Sequence, residues 1–130
     1  GEPVLYIVDG GSPAVRIKRL VGLPGDTLEM RSGVLIRNGR RLAEPYARRG
    51  PGAAGPDDWG PIVLPAGRYF VLGDNRARSV DSRHLGPVAA EDLLGRPFFV
   101  AFSYGRRTAS RLPWLQAVRT ARIGPVRDRR

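Results

Sequence analysis

Short runs of β-favouring residues, each closed by a Gly, Pro or Asn turn, constrain this chain more than any other feature. Val4 to Val8 reads as a buried strand and Asp9-Gly10-Gly11 as a turn. Ala14 to Val21 is a second strand, whose pleat puts Val15, Ile17, Arg19 and Val21 on one face and Arg16, Lys18 and Leu20 on the other. Gly22 to Asp26 turns the chain into Thr27 to Met30, and Ser32-Gly33 turns it again. Val34 to Arg37 and Arg40 to Ala43 flank Asn38-Gly39, the strongest short hairpin signal available. Ile62 to Leu64 and Arg68 to Leu72, on either side of Pro65-Ala66-Gly67, read as another hairpin-like pair. Val88 to Leu94 is expected to form a short helix closed by Gly95, and Pro97 to Phe102 an apolar strand. Leu112, Leu115 and Val118 repeat at helical spacing beside Trp114. The expected fold is mainly β, a single domain of antiparallel sheets and hairpins with one or two short helices.

With 130 residues and 42% hydrophobic content, the chain can bury one modest core. Ala47 to Pro61 is expected to be a long surface loop rather than a domain boundary, with Trp59 pinning its end. Residues 124–130 read as a basic tail. No apolar run has the length of a membrane span, and no secretory leader pattern is present. The absence of cysteine excludes disulfides and thiol nucleophiles. The lone histidine, His84, sits in a polar stretch and reads as a surface residue. No metal site or cofactor is expected.

The net charge of +10 would suit an anionic partner, but the kind of base is more informative. Lys18 is the single lysine among 22 basic residues; the others are arginine. Arginine keeps its proton in a protein, whereas lysine shifts its pKa readily on burial. An Arg-, Gly-, Ala- and Pro-rich composition depletes lysine throughout. Its one occurrence therefore marks a position where arginine could not substitute.

Tyr69 to Arg83 is a second notable stretch. Tyr69-Phe70-Val71-Leu72 is a strand that breaks at Gly73-Asp74-Asn75 into a loop carrying Arg76, Arg78, Ser79, Asp81, Ser82 and Arg83. Carboxylate–arginine bonds can hold such a loop together.

Together, Lys18-Arg19-Leu20-Val21-Gly22-Leu23-Pro24-Gly25-Asp26 and Gly73-Asp74-Asn75-Arg76-Ala77-Arg78-Ser79-Val80-Asp81-Ser82-Arg83 resemble the two motifs of the bacterial type I signal peptidase family, with every fixed position present in order. Gly1 to Val8 is similar to its Gly-Asp-x-Val strand with Glu2 for Asp. Val34 to Tyr46 is similar to its hairpin ending in Glu-Pro-Tyr, and Gly86 to Phe102 to the segment after the second motif.

The resemblance implies a Ser/Lys protease that removes signal peptides from pre-proteins at the extracytoplasmic face of the cytoplasmic membrane. Lys18 would be the general base and Ser79 the hydroxyl that orients it. Asp81 and Arg83 would form a supporting pair, and Gly73 would sit where a side chain would crowd the lysine. Asp74, Asn75 and Arg76 complete the loop motif. Ile17 would line a pocket for small residues on a strand that pairs with extended substrate. Arg16 stands beside it where an aromatic residue is expected, which alters that pocket wall. The implied partners are signal peptides with small residues before the cut, and membrane lipid; no nucleic-acid partner is expected.

An unperturbed lysine has a pKa about 3.4 units above pH 7, so holding it neutral costs about 4.6 kcal/mol. Burial can supply a shift of that order.

The family nucleophile is a serine followed by methionine, ahead of the first strand. Here Met30 follows Glu29, and Ser12, Ser32, Ser82, Ser103 and Ser110 lack that context. The nucleophile, its oxyanion donors and the anchor are expected upstream of Gly1. A homologue that binds extended peptides without cutting them is the alternative. A basic nucleic-acid-binding β module fits less well, because the arginines are scattered and no stacking motif is present. The self-cleaving repressor proteases also fit less well, for want of a cleavage-site segment.

Overall fold

A computed structural model of the chain describes residues 1–8, 14–50, 58–97, 99–100 and 124–125. Contacts divide the chain into two compact units, and the first, Gly1–Arg96 with the last two residues, contains both motifs. Its larger sheet comprises β1 (Glu2–Val8), β2 (Ala14–Gly22), β7 (Arg68–Leu72), β8 (Val88–Ala89) and β9 (Leu93–Gly95), in the order β8-β7-β2-β1-β9. Its smaller sheet comprises β3 (Thr27–Arg31), β4 (Val34–Arg37), β5 (Arg40–Arg41) and β6 (Trp59–Val63), in the order β5-β4-β3-β6. All named strand pairs are antiparallel. Among the described residues, no helix is long and apolar enough to cross a membrane.

The pleat of β7 links two apolar clusters. Phe70 and Leu72 join Val21, Leu28, Met30, Leu35 and Leu64 in one, while Val71 joins Val4, Tyr6 and Val88 in the other. The turn after β2 closes against the first cluster. Gly22 is buried there, and a Cβ would collide with Leu28 and Leu64. Asp26 accepts from the Leu23 N–H and from Asn38 Nδ2, tying this turn to the Asn38-Gly39 hairpin between β4 and β5. Half of the lysine motif is thus structural.

Several expected elements differ. Ile62 and Val63 pair with β3 instead of forming a hairpin with β7. Leu64 is needed in the first cluster, and the turn at Pro65-Ala66-Gly67 carries the chain to the other sheet. Trp59, Gly60 and Pro61, assigned to the long loop, belong to β6, where Trp59 stacks on Phe70 at 5.2 Å. Arg48, also in that loop, bridges to Asn75, and residues 51–57 lie outside the described residues.

The expected helix over Val88 to Leu94 is instead β8, a single 3₁₀ turn (Ala90–Asp92) and β9. Val88 and Ala89 pair with Tyr69 and Arg68, and Leu93 and Gly95 with Tyr6 and Leu5, so two sheet edges take up these backbone groups. A four-residue helix, α1 (Ser82–Leu85), forms instead after the polar loop, with Asp81 as its N-cap. His84 is exposed on it.

In the second unit, Pro97–Asp128, β10 (Phe99–Val100) pairs with β11 (Gly124–Pro125). The rest of the strand expected to Phe102, the helical spacing at 112–118 and the remainder of the tail lie outside the described residues.

Candidate active site

Lys18 and Arg19 leave β2 on opposite faces, and one loop meets both. β7 pairs with β2 only as far as Arg19 opposite Leu72, so Gly73 emerges beside Lys18. A Cβ on Gly73 would overlap Ser79 Oγ and lie 3.4 Å from Lys18 Nζ. The missing side chain is what lets serine and lysine meet. Lys18 Nζ donates to Ser79 Oγ at 2.8 Å across 61 residues of sequence, and Ser79 is 6% exposed.

The loop is held by its own acceptors. Buried N–H groups need partners, and beyond the reach of β8 the amides at the end of β7 and of Gly73 after it find them in the motif. Val71 N–H donates to Ser82 Oγ at 3.0 Å, and Gly73 N–H to Asp81 Oδ2 at 2.9 Å. The fully buried Asp81 also accepts from Arg83 Nε and Nη2, both at 2.9 Å. Arg83 Nη2 donates further to the Arg76 carbonyl at 3.0 Å. On the other face of β2, Arg19 grips Asp74 with two bonds of 2.9 Å and lies 3.8 Å from the ring centre of Tyr46.

Burial lowers the pKa of Lys18 below the ordinary lysine value. Asp81 opposes that shift, Arg16 and Arg83 reinforce it, and Asp74 opposes it weakly. Burial alone would raise the Asp81 carboxyl. Hydrogen bonds from Arg83, the Gly73 N–H and Ser79 outweigh it and hold the carboxyl below its usual range. An amine so placed loses its proton more readily than a surface lysine and can accept one from a neighbouring hydroxyl.

Of the residues expected at the site, the structure brings together Lys18, Gly73, Asp74, Arg76, Ser79, Asp81 and Arg83. Asn75 is exposed and takes part through its backbone bridge to Arg48. Arg16 is exposed opposite Tyr6, and Ile17 is 60% exposed on the wall of a groove shared with Pro3, Lys18, Arg19 and Asp74. Among the described residues, no group of acidic or histidine side chains could hold a metal ion.

A family pattern described as signal peptidase, peptidase S26, matches residues 9–102. The chain belongs to the signal peptidase family. It is 43% identical to signal peptidase I of Bacillus licheniformis over 108 residues, 77% of this chain and 58% of that one. It is 38% identical to signal peptidase I T of Bacillus subtilis over 108 residues, 77% of this chain and 56% of that one. The crystal structure of a signal peptidase I from Enterococcus faecalis superposes with a TM-score of 0.60 at 32% identity, covering 72% of this chain and 92% of that one. The chain spans little more than half the length of these Bacillus relatives.

Site residues that sequence reasoning missed are Arg19, Glu44, Tyr46 and Tyr6. Arg19 was readable only as a motif position on the face away from Lys18. Glu44 and Tyr46 were readable as the Glu-Pro-Tyr that ends the hairpin, with no sign of their partners. The Tyr6 hydroxyl is buried with no hydrogen-bond partner among the described residues. Burial raises its pKa, Arg16 lowers it and Asp81 raises it, so it is held as a neutral phenol.

Proposed function

We propose that this chain is the lysine-bearing part of a signal peptidase that removes signal peptides from secreted pre-proteins at the outer face of the cytoplasmic membrane. The observation that carries the reading is the 2.8 Å contact of Lys18 Nζ with a buried Ser79, in a loop fixed by Asp81 and Arg83. Lys18 accepts the nucleophile's proton and Ser79 aims the amine. No serine in these 130 residues is followed by methionine. In this reading the nucleophile, the oxyanion donors and the membrane anchor come from sequence outside them.

Substrate binds by strand addition. Among the described residues, no strand pairs with Ala14 to Lys18 on the β7 side of β2. An extended peptide laid there gains main-chain bonds, and Ile17 supplies an apolar wall for small side chains before the cut. Arg16 sits exposed beside it.

The test uses a pre-protein with an Ala-x-Ala site. The chain alone should leave it intact, and the product of the whole gene should cleave it. Lys18→Met in that product should lower cleavage on the order of ten-thousandfold. Cleavage by the chain alone that Lys18→Met abolishes would place a nucleophile within these residues. Whole-gene product that binds the peptide without cutting it would favour a non-catalytic homologue.

A further inference from the structure

Glu44 lies outside both sequence motifs, yet its contacts lead into the site. Its side chain is 3% exposed. It accepts from both terminal nitrogens of Arg76, at 3.0 and 2.5 Å, and from Arg49 at 3.2 Å. The Arg76 side chain is itself 4% exposed, and its remaining donor, Nε, reaches the Gly73 carbonyl at 3.0 Å. Gly73 is the residue against which Ser79 Oγ and Lys18 Nζ are packed. An unbroken line of contacts therefore runs from Glu44 through Arg76 and Gly73 to the Lys18–Ser79 pair. The backbone reinforces it. Arg48 N–H donates to the Asp74 carbonyl at 2.7 Å, and Arg76 N–H to the Arg48 carbonyl at 2.9 Å. Both bonds join the segment carrying Glu44 to the loop carrying Ser79.

A carboxylate this deeply buried is retained only where cations and hydrogen bonds compensate its lost water. Glu44 has both, and so does Arg76. Without Glu44, Arg76 would be left a buried cation with no counter-ion. The guanidinium would then turn toward water and release the Gly73 carbonyl.

We propose that Glu44 is a positioning residue, fixing the Gly73 backbone through Arg76 and so setting the approach of Ser79 to Lys18. This rests on the reading of Lys18 as general base and adds to it a group that touches neither the amine nor the substrate.

Because Lys18 is the only lysine, ε-carbon-labelled lysine gives a single side-chain NMR signal, and its titration reports this amine alone. In the unaltered chain the midpoint should lie below the ordinary lysine value. In Glu44→Gln it should rise by about half a pH unit or more, as water reaches the loosened amine. Losing a negative charge that acted only through space would lower the midpoint, so the direction separates positioning from simple electrostatics. Glu44→Asp should lie between the two, and it carries the test if the Gln variant does not fold. Leu35→Ala, in the smaller sheet's core, should cost stability without moving the signal. An unchanged or lowered midpoint in Glu44→Gln would overturn the proposal. So would a rise of equal size in Leu35→Ala. A midpoint at the ordinary value in the unaltered chain would instead overturn the base reading of Lys18, and this proposal with it.

Discussion

Lys18 and Asp81 both favour the folded chain less as pH falls, each in its own pH window, and the signs are testable. The folded pKa of Lys18 is lowered, so the unfolded chain binds more protons and this group's burial becomes less costly as pH rises toward the ordinary lysine value. The folded pKa of Asp81 is lowered as well. Its stabilisation is present above the unfolded value and is lost as pH falls through the folded one. Asp81→Asn should cost about 3 to 5 kcal/mol near neutrality, because it leaves Arg83 without its buried partner. The gap between wild type and variant in denaturant titrations should then narrow as pH drops from about 6 to about 2. A gap that stays constant would mean that the Asp81 charge does not hold this loop. Lys18, Ser79, Asp81 and Arg83 were readable because each occupies a fixed position in a short motif. Glu44 was visible in the Glu-Pro-Tyr stretch but its role was not, because its partner lies 32 residues away and no local spacing records the pairing.

At the scale of elements, β2 is a strand with two different halves. Arg19 to Gly22 is flanked by β1 or β7 and packs into the cores, whereas Val15 and Ile17 are 61% and 60% exposed. Amides of Ala14 to Lys18 that point away from β1 should exchange with solvent faster than those of Leu20 to Gly22. A peptide ending in small residues should slow them. Exchange that is unaffected by a cleavable peptide at saturating concentration would argue against strand addition. The strands bounded by Asn38-Gly39 and Ser32-Gly33 were legible because turn chemistry is local. The partner of Ile62 was not, since pairing with β3 or with β7 suits the same alternating residues. The expected helix at Val88 failed for a related reason: its apolar residues serve two sheet edges, which only the tertiary fold reveals.

Across the first unit, β7 belongs to both apolar clusters and leads directly into the Gly73 loop. Damage to either core should therefore reach the other. Leu72→Ala removes a fully buried side chain and should cost about 2 to 5 kcal/mol. It should also leave one unfolding transition, seen alike by the Trp59 indole signal in the smaller sheet and the Lys18 signal in the larger. Two separated transitions would show that the sheets fold independently and that β7 is no bridge. The half of β2 that no described strand pairs on the β7 side has a further consequence for the chain in bulk solution. A free strand edge recognises backbone, not identity, so the same segment of a second copy, approaching antiparallel about a two-fold axis, satisfies it as well as a substrate does. Two copies joined this way would occupy the strand edge beside both lysines and bar peptides from it. Crowding the protein with itself would then act as a competitive inhibitor, relieved by dilution.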